Sequence, residues 1–232
     1  KTAQYLDKLL ALEPDNQEAL IVKVELLKKQ KQDQQAIEIL QKLVHQSADN
    51  IILRLELARL LVKNKYYERA DEQIQVLAKN ELSPDVLFTI SLLVIEMDKT
   101  DEAKVYLLRL YAHRHYASEA AYFIARLESG RKDYPEAEKW FKQVTKGKYT
   151  FEAYLGLVLT YAHQEKFEQA LVLLEHSRGS NSKQGAEILQ IKAEVYLQAK
   201  NYSKAYDVYT EALSSAPDNH DIRYGRAMLA DK

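Results

Sequence analysis

Cysteine is absent from the 232 residues. That excludes disulfides, thiolate metal sites and cysteine nucleophiles, and it leaves reducing and oxidising compartments equally open. Proline and glycine are scarce, at 4 and 6 residues, which leaves little room for long loops or disorder. Neither sign of charge dominates: 33 Lys and Arg stand against 34 Asp and Glu, for a formal net charge of −1. A chain so balanced has no basic stripe for a phosphate backbone, which argues against nucleic acid as a partner. No stretch of eighteen uninterrupted apolar residues occurs, so no segment is expected to span a membrane. What remains is 47% hydrophobic and 29% charged, the composition of a folded helical array.

The apolar residues are periodic on a long scale. Alanines recur at Ala36, Ala70, Ala103, Ala137, Ala170 and Ala205, with intervals of 34, 33, 34, 33 and 35 residues. A period near 34 predicts a solenoid of supersecondary units, none able to close its own core, so that stacked neighbours supply the burial. Twelve residues before each beat stands a mostly small residue: Val24, Ala58, Ser91, Ala125, Val158 and Ala193. Small side chains let two helices of one repeat approach closely. Four residues after the beat come Leu40, Ile74, Leu107, Phe141, Leu174 and Tyr209, at one-face helical spacing.

Polar turns such as Lys63-Asn64-Lys65, Gly130-Arg131-Lys132-Asp133 and Ala199-Lys200-Asn201 divide each interval into two helices. Ser83-Pro84 predicts a helix start with serine as the N-cap. The longest irregular stretch, Ser177 to Gly185, coincides with the single 35-residue interval and is expected to be a mobile loop. The whole chain reads as one solenoid over 1–232: the second helix of a truncated repeat over 1–14, six repeats over about 16–217, and the first helix of a further repeat over 218–232. Beginning and ending in mid-pattern, it is expected to be a fragment of a longer protein.

The stretch Tyr154-Leu155-Gly156-Leu157-Val158 to Tyr161, followed by Phe167 and Ala170, resembles the tetratricopeptide repeat family. So does Leu189 to Tyr196 followed by Tyr202, Ala205, Tyr209, Ala212 and Pro217. The resemblance extends over essentially the whole chain, although the closing proline survives only at Pro14 and Pro217, and Lys23 and Lys192 replace an apolar residue. It implies an all-α, right-handed superhelical solenoid whose first helices line a concave groove that binds protein or peptide partners.

Counting back fifteen, eleven and eight residues from the beat assigns that groove. It yields Leu55 and Arg59, then Phe88, Leu92 and Ile95, then Tyr122, Arg126 and Ser129, then Leu155, Leu159 and Ala162. Eighteen residues before the beat stand Asp85, Glu119, Glu152 and Glu187, with Glu18 ahead of them, forming an acidic rim that suits a basic flank of a partner. The same acids also favour the first turn of a helix through its dipole, and the two readings are compatible. Stretches Val86–Ile95 and Ala153–Ala162 hold no charge, more apolar than one open face requires. Tighter packing between repeats would account for them, but a groove covered by a partner segment, a second subunit or a missing part of the chain is the preferred reading. Arg59 and Arg126 are candidate pairs for a partner carboxylate, or for glutamates of their own array. The Lys and Asn clamp by which some tetratricopeptide domains hold a C-terminal carboxylate has no Asn here.

Catalytic constellations are weak. His113-Arg114-His115 is an i,i+2 pair near a helix end, which does not share a helix face. Gly147-Lys148 lacks the spacing of a phosphate loop, and no G-x-S-x-G elbow occurs. No enzyme activity, metal or cofactor is expected.

Ser118 to Val144 with Gly147 and Tyr149, together with the run Pro217 to Ala230, resembles tetratricopeptide lipoproteins of gammaproteobacterial outer membranes. That resemblance implies an adaptor that presents cell-wall hydrolases to a periplasmic C-terminal processing protease. It would place the chain on the periplasmic side of the outer membrane, the alternative being cytoplasmic. The function expected is therefore a non-enzymatic adaptor or scaffold that captures a partner segment. The alternative is a self-assembling homo-oligomer whose groove is covered by another copy.

Overall fold

The six beat alanines are wholly removed from solvent, and the six residues four places after them are buried, from Ile74 and Leu107 at 0% exposure to Tyr209 at 7%. Each such pair lies on the second helix of a two-helix repeat. The structure is a computed structural model that describes residues 2–175, 181–215 and 217–229. Among them α1 (Thr2–Leu12) precedes three pairs: α2 (Gln17–Lys29) with α3 (Asp33–Gln46), α4 (Ile51–Lys63) with α5 (Tyr67–Ala78), and α6 (Pro84–Glu96) with α7 (Thr100–Tyr111). Three more follow: α8 (Ala117–Gly130) with α9 (Tyr134–Phe141), α10 (Thr150–His163) with α11 (Phe167–Glu175), and α12 (Ser182–Gln198) with α13 (Tyr202–Ser215). Helix α14 (His220–Ala227) closes the order. No strand occurs among the described residues, so the fold is an all-α helical repeat.

The chain divides into two compact units, Lys1–Leu110 and Tyr111–Lys232. In the first, α2 packs on α3, α3 on α4, and α4 on both α5 and α6. In the second, α10 lies against α8, α9, α11 and α12, and α12 packs on α13. The close approach of paired helices is made at the small residues: Ala58, Ser91, Ala125, Val158 and Ala193 have no exposed surface and Val24 has 2%.

The turn inside every repeat is built the same way. Five residues before each beat alanine a non-glycine residue takes the left-handed conformation: Lys31, Lys65, Asp98, Lys132, Glu165 and Lys200, with φ from 58° to 63°. The next amide donates back to a carbonyl five residues earlier, as in Gln32 to Leu27 at 2.9 Å, Tyr66 to Leu61 at 2.9 Å and Asp133 to Glu128 at 2.9 Å. The left-handed residue itself donates three residues back, as in Lys65 to Val62 at 2.8 Å. These are Schellman motifs, which satisfy carbonyls that the helix end leaves bare. Their usual signal is glycine at the left-handed position, and none of the six carries it.

Helix starts follow the sequence more openly. Ser83 Oγ accepts from the Val86 amide with Pro84 at the first turn, as the Ser-Pro pair implies. Asn16, Asn50, Asp133, Asn181 and Asn219 cap in the same manner. Asn181 changes one expectation: it starts α12 at Ser182, so Ser182 to Gly185 is helical rather than loop. Residues 177–180 of the expected loop lie outside the described residues. Lys23, which departs from the family pattern, pairs with Asp7 of α1 at 2.6 Å.

Candidate functional site

In the first unit, the groove positions are closed by the chain's own charges. Leu55 on α4 is buried, and beside it Arg59 is exposed but engaged. Its guanidinium donates to Thr89 Oγ1 of α6 at 3.0 Å and pairs with Glu56 at 3.7 Å. Glu56 also accepts from Lys28 of α2, and Lys28 pairs with Glu25 at 3.0 Å. A rung of alternating charge thus runs Glu25, Lys28, Glu56, Arg59, Thr89 across three first helices. The acceptors on the following helix, Glu56 and Thr89, both stand fourteen residues before a beat. Phe88, Leu92 and Ile95 on α6 are half-buried, and Asp85 lies exposed in its first turn.

In the second unit, the same register leaves a cleft. Tyr122, Arg126, Ser129, Leu155, Leu159, Glu152 and Glu187, assigned to groove and rim by counting, line one cleft of about 300 Å³ together with Phe141, Gly156 and Ile191. Its floor is apolar: Leu155 and Phe141 are each 5% exposed, and Leu159 and Ile191 are half-buried. Tyr122, 8% exposed, is held by a parallel stack on Tyr149 with ring centroids 4.5 Å apart, and Phe123 meets both rings edge-on at 5.3 Å. The Arg126 guanidinium lies over the Tyr122 ring, 5.8 Å from its centroid, within reach of a cation–π attraction.

The cleft has a steric cause. A Cβ built on Gly156 would meet the Phe141 ring at 2.5 Å, closer than any packed carbon atoms tolerate. Gly156 stands fourteen residues before a beat, the place of Glu56 and Thr89, and Phe141 stands four residues after one. The same pairing recurs where a Cβ on Gly225 would meet Tyr209 at 2.6 Å. A large aromatic four residues past the beat therefore obliges glycine on the next first helix. Glycine offers no acceptor, and Ile191 repeats the omission one helix later. Arg126 is exposed with no ion pair among the described residues, and neither Glu152 nor Glu187 has one.

The acidic rim resolves unevenly. Asp85, Glu119 and Glu152 fall in the first turns of α6, α8 and α10, where the helix dipole favours them. Glu187 does not, because α12 begins at Ser182 and its first turn holds no acid. The two charge-free stretches also differ from expectation. Every residue of 86–95 and of 153–162 is buried or half-buried, so packing within the chain already covers much of what the sequence leaves apolar. Neither helix requires an external cover along its length; the opening is local, at the cleft. Counting from the beat found the cleft's walls but missed Phe141, Gly156, Ile191 and Tyr149. The aromatic at Phe141 with glycine fifteen residues on was the available signal.

Outside the cleft, His113 and His115 sit exposed in the turn after α7. No helix among the described residues is long and apolar enough to cross a membrane.

Comparison with known proteins supports the tetratricopeptide repeat family. Two models described as tetratricopeptide repeat match residues 1–50 and 186–219. Among solved structures, YrrB, described as a TPR protein with an unusual peptide-binding site, is similar at 18% identity and a TM-score of 0.61, over 84% of this chain and 97% of that one. A tetratricopeptide repeat protein from Parabacteroides merdae is similar at 18% identity and 0.59, over 97% and 90%. PilF of Pseudomonas aeruginosa is similar at 15% identity and 0.60, over 91% and 97%. At these identities the likeness is one of fold. A search of curated proteins found no match. No catalytic family is indicated by these matches.

Proposed function

We propose that this chain, an all-α repeat array with the tetratricopeptide family supported at both ends, is a non-enzymatic adaptor or scaffold that captures a segment of a protein partner. Proteins of this repeat family generally mediate protein–protein interaction and bind protein or peptide partners. The observation that carries the reading here is the cleft of α8, α10 and α12, an apolar floor with a fixed aromatic wall and ionic groups that have no ion pair among the described residues. Aromatic and apolar anchors supply affinity at such a site, and rim charges supply selectivity. In the first unit, taken by itself, the half-buried Phe88, Leu92 and Ile95 are a second candidate surface.

Capture of cross-linked partners from native extract by wild type and by Leu159→Asp tests the reading. A folded variant, checked by circular dichroism, is expected to lose the partner; undiminished capture would remove the cleft from the function. In its finer form the partner is a periplasmic C-terminal processing protease together with its protein substrates, which the resemblance of 118–149 and 217–230 supports. Co-purification of a protease activity with the tagged chain tests that form.

A second reading, self-assembly, is favoured by one feature. Tyr5, Leu9 and Leu12 form an i, i+4, i+7 stripe on α1 that is exposed, Leu12 at 82%. Sedimentation over a wide concentration range is expected to show a concentration-dependent dimer if another copy covers that stripe, and a strict monomer would dismiss it.

A further inference from the structure

The cleft of the second unit is specific in its charge as well as its shape. Arg126, over Tyr122, offers a guanidinium without an ion pair on one wall. Glu152 and Glu187, on α10 and α12, offer two carboxylates in the same cleft. The oppositely charged groups do not pair with one another among the described residues, although such pairs are formed throughout the rest of the chain, from Lys28 with Glu56 to Lys166 with Glu138. Between them lie Leu155, Leu159 and Ile191, which reward an apolar group and nothing else. The dipole accounts for Glu152 but not for Glu187, which projects from the second turn of α12.

We infer that the occupant of the cleft is a peptide segment with a large apolar residue flanked by a Lys or Arg, which meets Glu152 and Glu187, and by an Asp or Glu, which meets Arg126. This rests on the adaptor reading and narrows it to a partner chemistry. With two carboxylates against one guanidinium, the basic residue of the segment contributes more than the acidic one. A long cationic side chain also covers the apolar floor with its methylene stem while its head reaches the carboxylates. A purely apolar segment would leave all three charges facing the interface unpaired, and a purely acidic segment would place like charges against Glu152 and Glu187, which disfavours binding.

Selection of a random twelve-residue peptide display library on the immobilised full chain tests the inference. Enriched sequences are expected to combine a basic residue, a large apolar residue and an acidic residue at fixed spacing. A synthetic peptide of the enriched sequence should bind Glu152→Lys/Glu187→Lys roughly tenfold more weakly than wild type, two rim charges acting together. Exchanging its basic residue for Glu should restore affinity for that variant. Peptides that bind wild type and the charge-reversed variant alike, yet lose Leu159→Asp, would overturn the charge assignment and leave the adaptor reading intact. Peptides indifferent to Leu159→Asp, or no enrichment at all, would overturn both.

Discussion

Arg59 and Arg126 stand eleven residues before their beats, in first helices of the two units, and their surroundings differ. Arg59 is held by Glu56 and Thr89, the last rung of a ladder that begins at Glu25. Among the described residues Arg126 has no ion pair and lies over the face of Tyr122. Part of the difference lies on the arginine's own helix, where Glu56 stands three residues before Arg59 and Phe123 three before Arg126. The rest lies on the next helix, at the residue fourteen before the following beat, which is Thr89 in one case and Gly156 in the other. Gly156 in turn is dictated by Phe141, whose ring occupies the space that a Cβ would need. A choice made for packing thus removes a side-chain hydrogen-bond acceptor and leaves a cleft.

The comparison can be broken most forcefully at Gly156. Gly156→Ala is expected to cost about 2 kcal/mol of stability through overpacking against Phe141, and to cost less than half of that in a Phe141→Leu background; urea titration of the four proteins measures it. Next in size, Phe141→Leu with Gly156→Glu rebuilds the first unit's rung in the second. Arg126 then gains an acceptor, and binding of the library-selected peptide is expected to fall roughly tenfold, or about 1.4 kcal/mol, while the protein stays folded.

Acid should separate the units further. Burial opposes ionisation of Glu138 more than any one partner favours it, yet hydrogen bonds from Lys142, Lys166 and Gln164 together hold its carboxyl at about 2, below its ordinary value of 4.5. In the first unit Lys63, donating at 2.7 Å, likewise lowers Asp33, with Asn64 adding a second bond. A carboxyl depressed in the folded state stabilises fully above its unfolded pKa and loses that contribution as pH falls toward the folded one. Stability is therefore expected to drop by about 1 kcal/mol on Glu138's account between pH 4.5 and 2, after allowance for solvent screening. Glu138→Gln should flatten that part of the profile in an acid series of thermal melts.

Two smaller effects sharpen the comparison by showing where the units agree. Lys65→Gly in the first and Lys132→Gly in the second should each raise stability by about 0.5–1 kcal/mol, because both lysines hold a left-handed backbone that glycine adopts without strain. Unequal gains would mean that the turns are not equivalent. Smallest of all, Arg59→Ala is expected to cost about 0.5 kcal/mol and Arg126→Ala nothing measurable in denaturant titration, since only the first arginine serves its own array. Peptide affinity should respond in the opposite order.

Much of this was legible before any coordinates. The beat alanines and their small partners fixed the helix pairs because close helix approach tolerates few residue types, and such a constraint leaves its mark at regular intervals. Ser83 was readable as a cap because a cap is a local bond between neighbours. The six left-handed turn residues were not, since lysine, aspartate and glutamate carry no signal of positive φ; the Schellman bonds impose it. The charge-free helices misled in part, because hydrophobicity says that a residue will be covered and not by what.

Periodicity along the chain is enough to specify the repeat and the two helices within it. Whether a residue at a given count is engaged or left free in its unit depends on its neighbours in space. Arg59 and Arg126 are the same residue at the same count, and their difference depends on Glu56 against Phe123 one turn earlier and on a side chain of the next repeat that is present in Thr89 and absent in Gly156. A guanidinium needs its acceptors in space, and counting from the beat does not reveal whether an acceptor has given way to an aromatic ring.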